Sequence, residues 1–141
     1  MRKDLLKKGF IKKIESNSIQ VNKSLELVER DLKVAKTMLI ENNDWAYNIS
    51  YNSILQAIKA LMFSEGYKTS NINSHVSTIE FAKDFLDKSD IIYLNRMRRK
   101  RHKAVYEISG SVTNIEAKNS VHNAEKIVSK IKMIINEQKK E

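Results

Sequence analysis

The chain of 141 residues is long enough for one hydrophobic core and too short for two ordinary domains. It contains no cysteine, no proline and three glycines, which excludes disulfides, thiolate chemistry, cysteine-held metals, glycine-rich phosphate loops and a turn-dense β fold. Basic residues number 26 against 17 acidic ones, a formal charge of +9, and no apolar run approaches the ~18 residues of a membrane span. The opening Met1-Arg2-Lys3-Asp4 is charged and lacks a signal-peptide apolar stretch, so the expectation is one cytoplasmic helical domain over residues 1–141.

Lys3 to Glu15 carries Leu5, Leu6, Phe10, Ile11 and Ile14 and reads as a short basic amphipathic helix, broken near Ser16-Asn17-Ser18. From about Ser24 to Glu41, Leu25, Val28, Leu32, Ala35 and Leu39 recur at helical spacing. Asn42-Asn43-Asp44 ends that helix, with Asp44 placed to cap the next. Trp45 to Glu65 has the broadest apolar arc and reads as the central helix. Its Ser50, Ser53, Ala57 and Ala60 suit close helix packing, and Gly66 stops it. Tyr67 to Asn73 reads as a polar loop, and Ser74 to Leu86 as a shorter helix. Lys88-Ser89-Asp90 either breaks the pattern or opens the next helix, Ile91 to Ile108, which Ser109-Gly110-Ser111 ends. Thr113 to Glu116 is a capping-box sequence that opens a last helix to about Asn136, followed by a charged tail, Glu137 to Glu141. The fold class expected is all-α: an up-and-down bundle of four main helices with one or two shorter accessory helices.

The scattered lysines read as solvated helix faces. The stretch from Leu94 to Lys103 is different. It holds Arg96, Arg98, Arg99, Lys100, Arg101 and Lys103 with no acidic residue, a concentration of charge suited to a polyanion. On this helix Asn95, Arg98, His102 and Tyr106 share one face, while Leu94, Met97, Arg101, Ala104 and Ile108 share another. The second stripe is a core stripe with an arginine inside it. Arg101 there either pairs with a carboxylate of a neighbouring helix or meets a phosphate at a cleft or interface. The histidines, His75, His102 and His122, form no metal-ligand spacing, so neither metal nor cofactor is expected. His75 and His122 read as surface or packing residues.

Two stretches, Trp45 to Leu61 and Leu94-Asn95-Arg96-Met97-Arg98-Arg99-Lys100-Arg101-His102-Lys103-Ala104-Val105-Tyr106, resemble the HEPN superfamily of small helical bundles over roughly Leu25 to Ile134. The family motif is an arginine, often followed by a polar residue, with a histidine four to six residues on. The resemblance implies a homodimer whose motifs meet in a basic cleft. In active members, arginine and histidine cleave RNA without metal, leaving a 2′,3′-cyclic phosphate. It also implies toxin or phage-defence roles, often beside a nucleotidyltransferase partner, with a module that only binds RNA or nucleotide as the alternative. Two registers fit. In one, Arg101 is the motif arginine, His102 its polar follower and Tyr106 stands at the histidine position. In the other, Arg96 pairs with His102. Asn95, Arg98, Arg99, Lys100 and Lys103 then complete the nucleic-acid-binding set.

Overall fold

The computed structural model describes residues 2–70, 73–106 and 110–139, without the side chains of 104–106 and 139. Its elements are α1 (Arg2–Lys7), β1 (Ile11–Lys13), α2 (Ser18–Glu41), α3 (Asn43–Glu65), β2 (Tyr67–Thr69), α4 (Ser74–Ala82), α5 (Lys88–Tyr106) and α6 (Asn114–Lys139). The all-α bundle expected from the sequence is the fold observed, with a small two-stranded sheet added.

Cross-helix pairs fix the direction of each long helix. Lys132 bridges Glu29, and Lys36 lies 3.5 Å from Glu125, so α2 and α6 run oppositely. Asp90–Lys130 and Glu116–Lys100 make α5 and α6 antiparallel. Asn43–Asn114 and Ser64–Gln138 make α3 and α6 parallel. The directions alternate α2, α3, α5, α6, as an up-and-down bundle requires. Helix α3 touches α2, α4, α5, α6 and β2, and its Tyr51, Ile54, Ala57, Ile58, Ala60 and Leu61 are fully buried. Ser50 and Ser53 are buried with them. Their hydroxyls donate to Ala46 O and Ser50 O of their own helix, so close packing leaves no unsatisfied donor there.

Several boundaries differ from the sequence reading. The expected helix over Lys3–Glu15 stops at Lys7, because Gly9 takes a left-handed conformation (φ +76°). Gly9 N donates to Leu6 O and Phe10 N to Leu5 O, the paired bonds of a Schellman stop. Beyond it the chain is extended. Ile11 is buried, and Ile11–Lys13 pairs antiparallel with Tyr67–Thr69, part of the stretch expected to be loop. Helix α2 begins at Ser18 rather than Ser24, because the Asn17 side chain caps Ile19 N and Gln20 N. Asn42, not Asp44, caps α3. The Asp44 carboxylate instead accepts from Gly110 N and Val112 N and ties the α5–α6 connection to α3. Helix α4 ends at Ala82 rather than Leu86, in turns closed by Phe85 N and Leu86 N on Ala82 O. Gly66 caps α3 in the left-handed conformation, and Thr113 with Glu116 forms the expected reciprocal capping box. Helix α6 continues past Asn136 into the expected tail, because Gln138 bonds both Ser64 and Glu65. Helix α5 starts at Lys88, so Lys88-Ser89-Asp90 opens it rather than breaking the pattern. Its expected end at Ile108, with Ser109, lies outside the described residues, as do tail residues 140 and 141.

Candidate functional site

Leu94 and Met97 are fully buried and anchor α5 against the core. Arg101, one turn beyond Met97, therefore projects toward α3. Its Nε donates to Asn48 Oδ1 at 2.5 Å, and its guanidinium carbon lies 5.9 Å from the Tyr51 ring centroid. Asn48 and Tyr51 are buried on the α3 face that meets α5. The partner of the Arg101 Nε is thus a neutral amide. The amide and the ring together fix where the guanidinium sits.

The contact set continues into α4. The left-handed backbone of Asn73 (φ +48°) turns the chain so that α4 opens with Ser74 and His75 beside α3. His75 Nδ1 lies 3.3 Å from Tyr51 Oη, with the two rings 5.7 Å apart. Burial pushes the Tyr51 phenol up to about 12, against the opposing pull of Arg101 and Arg98, so it stays protonated at neutral pH. Burial also holds the His75 imidazole below its usual range. The positive charges of Arg101, Lys59 and Arg98 act in the same direction.

Between the start of α4 and the last turns of α5 lies an open cleft of about 660 Å³. One wall is Asn73, Ser74, His75 and Val76; the other is Arg98, Arg99, Arg101, His102 and Lys103. Four cations and two imidazoles thus converge on a ligand-sized space. Arg98 Nε is buried and has no hydrogen-bond partner among the described residues.

The residues singled out from sequence separate into groups. Arg98, Arg99, Arg101, His102 and Lys103 line the cleft. Lys100 turns toward α6, where its Nζ lies 3.3 Å from Glu116. Arg96 sits away from the cleft lining, and its charge acts on Tyr47 and Tyr93. Asn95 is half-buried and also off the lining. The Tyr106 side chain lies outside the described residues. Arg101 and His102 therefore share the cleft, whereas Arg96 and His102 do not. Asn48, Tyr51 and His75 were not among the sequence candidates. An asparagine and a tyrosine three residues apart on the buried face of the most apolar helix are a readable signal for the first two. Nothing in the sequence distinguishes His75 from a packing histidine. Among the described residues no group of three His, Asp or Glu side chains is placed to hold a metal ion, and no helix is long and apolar enough to cross a membrane.

A family model described as HEPN domain matches residues 21–134. The fold is similar to that of TT1696 from Thermus thermophilus, with a TM-score of 0.66 and 14% identity, over 81% of this chain and 97% of that one. At that identity the likeness speaks for the fold alone. No curated protein matches the sequence.

Proposed function

From the premise that this chain belongs to the HEPN domain family, we propose that it is a metal-independent endoribonuclease that grips RNA phosphates in the cleft between α4 and α5. The observation that carries this reading is the convergence of Arg98, Arg99, Arg101 and Lys103 with His75 and His102 on one cleft. Arginine matches the geometry of phosphate oxygens and keeps its charge at every physiological pH. Arg101 is the residue best prepared for the reaction. Asn48 and Tyr51 hold it before any ligand arrives, so it stabilises charge developing on the phosphate without first reorganising. This arrangement favours the register in which Arg101, rather than Arg96, is the motif arginine.

In the reaction, the 2′-oxygen attacks the adjacent phosphorus, the bond from phosphorus to the 5′-oxygen breaks, and a 2′,3′-cyclic phosphate and a 5′-hydroxyl remain. The family resemblance supports a homodimer in which two such clefts meet. It also supports a toxin or defence role restrained by a nucleotidyltransferase partner. A second reading is a module that binds RNA or nucleotide without cutting it. Tyr106 at the family's histidine position favours that reading, since a phenol with a pKa of about 10 is a poor base at neutral pH. The test is incubation of the full chain with a 5′-labelled single-stranded RNA in excess EDTA. Fragments ending in cyclic phosphate support the nuclease. Intact RNA with salt-sensitive binding supports the binding module.

A further inference from the structure

We propose that His75, contributed by α4 from the wall opposite the arginine helix, is the proton-transfer group of the cleft. The inference rests on the nuclease reading above and gives it a proton-transfer group, an imidazole joined to Arg101 through Tyr51. Three features of the structure support it.

The first is position. His75 lines the same cleft as Arg101 and is joined to it through Tyr51, which meets Arg101 on its ring and His75 at its hydroxyl. A phosphate held by Arg101 therefore lies within the cleft that His75 borders. The second is orientation. The Nδ1 contact with Tyr51 Oη occupies one ring nitrogen, so Nε2 is the nitrogen that meets a ligand. With Nδ1–H donating to the phenol oxygen, Nε2 carries the lone pair. The tyrosine hydroxyl can either accept from Nδ1–H or donate to Nδ1; the tautomer in which it accepts is the one in which Nε2 is a base.

The third is charge state. Burial and the fields of Arg101, Lys59 and Arg98 favour neutral imidazole. The groups around it are Tyr51 and Lys59 on α3, Arg98 and Arg101 on α5, and His102 across the cleft. Glu80 of its own helix and Asp4 of α1 line the adjoining groove instead. A neutral imidazole at pH 7 is the form that accepts a proton.

His75 Nε2 takes the proton of the 2′-hydroxyl as the 2′-oxygen bonds to phosphorus and the 5′-oxygen departs. The departing oxygen takes a proton from water, and the imidazolium returns its proton to the hydroxide formed.

The experiment measures cleavage of a 5′-labelled single-stranded RNA by the full chain in EDTA between pH 5 and 8, for wild type, His75→Gln and His122→Gln. Binding of the same sequence as uncleavable 2′-O-methyl RNA is measured in parallel. The expected result is a loss of cleavage on the order of 10²-fold or more for His75→Gln, the usual scale of a lost general base. Binding should change less than about threefold, since uncharged His75 supplies no counter-charge to phosphate. His122→Gln, on the exposed face of α6, should cleave as wild type does. A second measurement needs no variant to fold: the wild-type rate should rise with pH through a midpoint below the ordinary histidine value of about 6.5. That midpoint should coincide with the His75 imidazole titration followed by NMR. Wild type and His75→Gln cleaving at equal rates overturns the role of His75 and leaves the nuclease reading standing. So does a rate midpoint that departs from the His75 titration. No cleavage by the wild type overturns the nuclease reading and this inference with it.

Discussion

Replacing Asn48 with aspartate keeps the shape of the side chain and exchanges the amide NH2 for a second, negatively charged oxygen. Asn48 Oδ1 accepts the Nε–H of Arg101 at 2.5 Å, and Asn48 is 5% exposed. A carboxylate there still accepts that hydrogen bond, so fold stability should stay within about 1–2 kcal/mol of wild type, the ion pair offsetting its own desolvation. Anion binding should respond differently. A phosphate on the far side of the guanidinium would lie roughly 7 Å from the new charge. At an effective dielectric of about 20, that repulsion is about 2 kcal/mol, or roughly 30-fold in affinity. Asn48→Ala separates the two effects. It removes the acceptor of the Arg101 Nε–H, and losing a hydrogen bond to a charged group costs about 1.5–3 kcal/mol of stability. Fluorescence anisotropy with a labelled 2′-O-methyl RNA at low salt gives the affinities, and urea unfolding gives the stabilities. If Asn48→Asp folds normally and binds RNA within twofold of wild type, Arg101 is not at the phosphate and the assignment of the cleft is wrong.

Gly66→Ala should destabilise the fold by at least about 1–2 kcal/mol, because φ +86° is costly for any residue with a Cβ. The added carbon would also stand 3.0 Å from Ile14 O; thermal denaturation checks this, and an unchanged midpoint contradicts it. Thr113→Ala removes the hydroxyl that accepts from Glu116 N and should cost about 1 kcal/mol in urea unfolding. Because the folded protein holds His75 below its unfolded value, its contribution to stability is intact above pH ~6.5 and falls as pH drops from there toward the folded value. His75→Gln should flatten that part of the stability–pH curve. Arg101→Lys keeps the charge but loses the planar fork, so RNA cleavage should fall much further than RNA binding; equal losses in the two assays would count against a specific role for the guanidinium.

Helical periodicity and end signals carried most of the fold. The apolar spacing of α2, α3, α5 and α6, the stop at Gly66 and the Thr113–Glu116 box were all readable, since each depends on residues within a turn or two of one another. What escaped depended on competition or distance. The Lys3–Glu15 stretch has helical spacing throughout, yet Gly9 stops the helix and Ile11 reaches the core as a strand paired with a segment more than fifty residues away. Ser18–Lys23 is mostly polar, so only the Asn17 cap marks the true start of α2. Arg101 was identifiable because a guanidinium on an apolar stripe demands an explanation. Its partner Asn48, 53 positions earlier, required knowing which face of α3 meets α5. His75 joins the cleft only through the turn at Asn73, a tertiary fact with no local sequence mark.

The central claim, that the α4–α5 cleft holds RNA through Arg101, is tested most directly by the salt dependence of RNA binding in wild type and Arg101→Ala. With 2′-O-methyl RNA titrated between about 50 and 200 mM salt, each phosphate neutralised contributes about −0.7 to the slope of log affinity against log salt for a single strand. The wild-type slope should correspond to several phosphates, and Arg101→Ala should bind more weakly with a slope reduced by about 0.7. Identical affinity and slope for the two proteins, with the variant folded, would contradict the claim.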